Sequence, residues 1–98
     1  MDILEASIYK APDNYSWRDV NNELVVLNLQ SGEYFTFNDV GRLIWLSVND
    51  GKNVEDITKL VTEQYAATRD KAEADVKAFI SNLLSEGLLI PQYKEVIR

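Results

Sequence analysis

The side chains able to do chemistry in this sequence are carboxylates, and their partners for catalysis are missing. Glu55, Asp56, Glu63, Glu73, Asp75 and Glu86 fall at positions that read as solvated helix faces. With 0 His and 0 Cys, the chain lacks the commonest general base, the commonest transition-metal ligand and any thiolate nucleophile. Its serines therefore have no imidazole to activate them. The spacing of an EF-hand, a phosphate-binding glycine loop and a dinucleotide fingerprint are all absent. Gly32, Gly41, Gly51 and Gly87 stand alone, where turns, caps and close packing account for them. The expectation is a protein that is not an enzyme and has no catalytic residue, metal or cofactor.

What remains is chemistry of binding. Gly32-Glu33-Tyr34-Phe35-Thr36-Phe37 is an aromatic strand, and Asn38-Asp39 opens a helix directly after it. A short apolar strand at a sheet edge can accept another chain. Main-chain hydrogen bonds then supply affinity, and side-chain pockets supply specificity. The simpler reading of Tyr34, Phe35, Phe37 and Trp45 is core packing, and composition does not choose between the two.

The elements that must position this strand follow from pattern. Tyr15–Val20 alternates as a first strand, Asn21-Asn22 turns, and Leu24–Leu29 is an apolar second strand. Gln30-Ser31-Gly32 forms the hairpin loop, and Glu33–Phe37 is the third strand. An even loop pairs Val26 with Phe35, an odd one pairs Leu27 with Phe37, and the sequence leaves both open. Asn38 is the expected cap of a helix over 39–48 with Val40, Leu43, Ile44 and Ser47 on one face. Asn53 caps a second helix carrying Val54, Ile57, Leu60, Val61 and Tyr65. Asp70 is expected to start a third, with Val76, Phe79, Ile80, Leu83 and Leu84 as its stripe and Gly87-Leu88 as its stop. Leu89-Ile90-Pro91 reads as a short return strand. The layout is α+β: a three-stranded antiparallel sheet, then three helices whose last two resemble a helix-turn-helix. Residues 1–14 read as an arm, loose or docked on the surface, 15–91 as the domain, and 92–98 as a frayed tail.

The chain has 98 residues, enough for one modest core. Its 10 Lys+Arg against 16 Asp+Glu give a net charge of -6, which opposes nucleic-acid binding and suits a basic peptide or protein partner. No apolar run reaches membrane-spanning length, and the N-terminus has no basic segment of a signal peptide, so the cytoplasm is the expected compartment.

Leu24-Val25-Val26-Leu27-Asn28, then Ser31-Gly32-Glu33-Tyr34-Phe35-Thr36-Phe37-Asn38, then Gly41, Ile44 and Trp45 form an ordered pattern. It continues through Asp50-Gly51, Val54–Ile57, Tyr65, Asp75-Val76, Phe79, Leu83 and Gly87-Leu88-Leu89. This pattern resembles the PqqD family over roughly residues 15–90. The resemblance implies three antiparallel strands on a winged-helix-like trio. It also implies a recognition element for the leader of a ribosomally synthesised precursor peptide. Such an element delivers the peptide to a radical SAM maturase or to a lasso-type protease or cyclase. In the family, the leader adds beside the third strand and packs against the third helix. Carried over, the peptide-binding residues are Glu33, Tyr34, Phe35, Thr36 and Phe37 on the strand, with Lys71, Ala72, Asp75, Val76 and Phe79 on the helix. Val76 and Phe79 would offer an apolar floor, and Glu33 and Asp75 would pair with basic leader residues. The competing expectations are a winged-helix DNA-binding regulator reading through the third helix, and an edge-strand dimerisation module. Domain swapping at Asn21-Asn22 or Asn49-Asp50 is a related possibility. Either a monomer or a dimer fits.

Overall fold

The computed structural model describes residues 8–92. Five strands and three helices follow in the order β1 (Tyr9–Lys10), β2 (Tyr15–Val20), β3 (Glu23–Asn28), β4 (Tyr34–Asn38), α1 (Asp39–Asn49), α2 (Val54–Tyr65), α3 (Arg69–Ser85) and β5 (Ile90–Pro91). Strands β2, β3 and β4 form an antiparallel sheet in that spatial order, and β1 pairs with β5 in a separate ribbon. The α+β layout read from the sequence is the one observed. Strands β3 and β4 each lie one residue off the expected bounds.

Two turns set the sheet's register. Asn21 (φ 53°) and Asn22 (φ 64°) make a two-residue loop with both central φ values positive, the geometry that matches strand twist. The second loop is four residues long and closes on the Asn28 N–H, which donates to the Glu33 carbonyl at 2.8 Å. The Asn28 side-chain oxygen organises it, accepting from the N–H groups of Gln30 (2.9 Å) and Ser31 (3.2 Å). Val26 therefore pairs with Phe35, which resolves the open register in favour of the even loop.

Each helix end has a traceable cause. Asn53 accepts from the Asp56 N–H at 2.8 Å, as expected of a cap. Asn38 makes no such bond. It is still the last residue of β4, in register with Glu23, and the chain turns only at Asp39, with φ 51°. The cap of α3 is Thr68, one residue before the helix, whose hydroxyl accepts from the Lys71 N–H; Asp70 lies inside the first turn. At the far end the Leu88 N–H donates to the Leu83 carbonyl and the Gly87 N–H to that of Leu84, with Gly87 at φ 78°. This is the expected Schellman stop.

The core gathers Leu24 and Val26 from the sheet, Ile44, Trp45 and Val48 from α1, Ile57 and Val61 from α2, and Ala72, Val76, Ile80 and Leu83 from α3. Trp45 and Val48 were not on the expected α1 stripe. They are buried because α1 is covered on more than one side, by the sheet, by α2 and by β1. Tyr9 and Ala11, which the sequence places in a loose or surface-docked arm, are core residues. The Ala11 N–H donates to the Asn49 side chain at 2.8 Å, and the Gln92 N–H donates to the Ile8 carbonyl at 2.8 Å. Segments far apart in sequence thus close the bottom of the domain together. Among the described residues, no helix is long and apolar enough to cross a membrane.

Candidate functional site

In an antiparallel ladder, consecutive residues point their N–H and C=O groups alternately toward and away from the neighbouring strand. The Asn28–Glu33 hydrogen bond fixes the phase for β4. Glu33, Phe35 and Phe37 face β3 with their main chain, and Tyr34, Thr36 and Asn38 face outward. Since β4 ends the strand order among the described residues, those outward groups form a free edge there. Side chains follow the opposite bookkeeping to the main chain. Phe35 and Phe37 share a face with core residues Val26 and Leu24, whereas Tyr34 and Thr36 stand on the other face and are exposed.

Phe37 links this edge to the helices. Its ring stacks on Trp45 (centroids 5.8 Å apart, 29° between planes) and meets Phe79 edge-on (5.4 Å, 75°). Trp45 in turn meets Trp17 edge-on at 5.4 Å, so an aromatic row runs from α3 beneath the sheet to β2. Gly41 lets α1 and α3 approach: a Cβ built there would lie 3.3 Å from the Phe79 ring and 3.6 Å from the Phe37 Cβ. Beside this contact opens a cleft of about 400 Å³ lined by Val40, Gly41 and Ile44 of α1 and by Asp75, Ala78, Phe79 and Asn82 of α3. Its walls are mostly apolar, with one carboxylate and one amide, a composition suited to alternate side chains of an extended peptide.

The expected site residues divide into two groups. Tyr34, Phe35, Thr36 and Phe37 belong to the edge strand and Glu33 precedes it, with only Tyr34 and Thr36 among them turning their main chain outward, while Phe79 and Asp75 line the neighbouring cleft. Lys71 is exposed one turn before Asp75 and donates to it at 3.3 Å. Ala72 and Val76 are fully buried in the core and do not line this cleft. Val40, Gly41, Ile44, Ala78 and Asn82 were missed. A signal existed on α3, where Asp75, Phe79 and Asn82 recur at i, i+4 and i+7 along one ridge.

Charge on α3 is internally matched. Lys71 sits against Asp75, and Lys77 and Arg69 both sit against Glu73. Those pairings leave that helix a poor surface for phosphate. No three metal-ligating side chains converge among the described residues. The perturbed groups lie elsewhere: the Arg42 guanidinium hydrogen-bonds Asp19 with both arms, Nε at 2.8 Å, and holds that carboxyl below its ordinary value.

An open sheet edge beside a helix-lined apolar cleft defines an α+β domain whose geometry can accept an extended chain. The chain belongs to the PqqD family: the family described as Coenzyme PQQ synthesis protein D (PqqD) matches residues 23–89. Two solved structures are similar. One is described as TbiB1 in complex with the TbiA(beta) leader peptide, 30% identical, covering 87% of this chain and 99% of that one, with a TM-score of 0.78. The other is lasso peptide synthetase B1 complexed with the leader peptide, 29% identical, covering 85% and 98%, with a TM-score of 0.77. No curated protein matches the chain.

Proposed function

We propose that this chain is a leader-binding adaptor without catalytic activity of its own. It captures the leader of a ribosomally synthesised precursor peptide as a fourth strand on β4 and presents the remainder to a modifying enzyme in the cytoplasm. The observation that carries this reading is the free edge of Tyr34, Thr36 and Asn38 beside the Gly41–Phe79 cleft, in a chain similar to two leader-bound structures. An added strand would bond to those outward groups and place alternate side chains over the cleft. Holding the leader raises the effective concentration of the attached segment at the enzyme. A lasso-type protease or cyclase is the first enzyme to test, given the two similar structures, and a radical SAM maturase the second.

The test is a titration of the purified chain with the leader of the precursor encoded beside its gene, followed by amide chemical shifts. Saturable changes confined to Tyr34–Asn38 and to the ridge from Asp75 to Asn82 are expected. A folded protein whose shifts do not move, or move only elsewhere, would defeat the reading.

A further inference from the structure

The helices cover one face of the three-stranded sheet, and the other face is bare among the described residues. Register places Val20, Val25, Leu27 and Tyr34 on that outer face, with Glu23 at its end beside Val20 and Leu29 continuing it beyond β3. Tyr34 is 68% exposed and Leu29 58%. A shallow depression of about 360 Å³ lies between Arg18, Val20, Val25 and Leu27. Monomeric proteins seldom leave contiguous apolar surface of this kind without a use. Arg18 projects from the edge strand β2 beside Val25 and makes no ion pair among the described residues, in contrast to the paired cations of α3.

We infer that this outer face is the docking surface for the modifying enzyme, and that the enzyme meets it with an apolar ridge and a carboxylate set against Arg18. Three features select that occupant. The face is continuous with the leader site, because Tyr34 and Thr36 carry their main chain on the free edge and their side chains on this face. A leader strand added at β4 extends the same face, so one protein seated there touches adaptor and leader together. A second copy of the chain is disfavoured by its own charge of -6, whereas Arg18, with Val20, Val25 and Leu27 around it and Glu23 beyond Val25, offers a local site for one partner carboxylate within an apolar contact. The choice of the modifying enzyme rests on the adaptor reading.

The experiment measures binding of the full chain, with and without the precursor's leader, to the modifying enzyme encoded beside that precursor. Leu27→Asp and Arg18→Glu are compared with the wild type, and each variant's leader affinity serves as its folding control. Enzyme affinity should fall about tenfold in both variants, with leader affinity held within about twofold. It should also be higher for the loaded wild type than for the empty one. No complex with the wild type, or a complex indifferent to both substitutions, overturns the inference. So does a wild type that sediments as a dimer and becomes a monomer in Leu27→Asp, which would make the face a self-interface. If the wild type binds the enzyme through this face yet binds no leader, the docking surface stands and the adaptor reading falls.

Discussion

The two edges of the sheet are built alike and finished differently. Strand β2 turns the main chain of Tyr15, Trp17 and Asp19 outward, because the Leu29 N–H donates to the Asn14 carbonyl at 2.7 Å and alternation does the rest, although the Tyr15 N–H is already taken by the Pro12 carbonyl at 3.1 Å. Strand β4 exposes Tyr34, Thr36 and Asn38 by the same rule. On β2, however, Arg18 and Asp19 put charges at the rim, and Arg42 of α1 clamps Asp19 beside the edge. Edge charges of this kind discourage strand addition. On β4 the neighbouring surface is an apolar cleft instead, and α1 begins without an intervening loop. An edge becomes a receptor through what flanks it, since both edges turn main-chain groups outward.

Proline substitutions break this comparison most sharply. Phe35→Pro removes a donor that faces β3 and a half-buried ring, so urea unfolding should show a loss of about 3 kcal/mol. Thr36→Pro, one residue away, removes an outward donor. It should leave the fold intact in circular dichroism while leader affinity, by calorimetry, falls about tenfold. The same lesion on the other edge, Asp19→Pro, should leave leader affinity within about twofold of wild type. Equal losses from the two edges would erase the distinction. Gly41→Ala is subtler. Its Cβ pushes the Phe79 ring by a few tenths of an ångström, so leader binding should weaken about threefold, with the helix-propensity gain of Ala offsetting the crowding.

The smallest effect belongs to the β2 clamp and is read by pH. The Arg42 hydrogen bond lowers the Asp19 pKa from its ordinary 3.8, so the unfolded chain takes up the proton first as pH falls. The clamp's contribution is complete above the unfolded value and fades as pH drops through the lowered folded one. Thermal unfolding of Asp19→Asn between pH 2 and 6 (about 4 units) should lose that part of the acid slope and keep the rest.

Strand order, the Asn53 cap and the Gly87-Leu88 stop were legible because each rests on a local rule that neighbouring residues supply. The register was not. The loop's length depends on whether Leu29 and Glu33 belong to strand or turn, and Asn28 decides that with its side chain. The β1–β5 ribbon was invisible as a pair, since two-residue strands have no period to read. For the site, the strand half was readable from its aromatics. Of the helix half, Asp75 and Phe79 were readable but Val76 was not separable from them, because Val76 and Phe79 belong to adjacent faces of α3 whose roles depend on where the sheet sits. Nothing local marks Gly41 or Ala78 as groove residues: their value is the volume they leave empty.

The aromatic row from Phe79 through Phe37 and Trp45 to Trp17 gives the protein an optical reporter of its own. Trp45 is sealed from solvent and Trp17 is 38% exposed, so iodide can quench the second and not the first. Trp17→Phe would leave a single tryptophan, buried and stacked on Phe37, whose ring meets the Phe79 ring that lines the cleft. A peptide settling against Phe79 changes the chiral surroundings of that indole, and near-ultraviolet circular dichroism reads such packing directly. Occupancy could then be followed in real time without a label on either molecule.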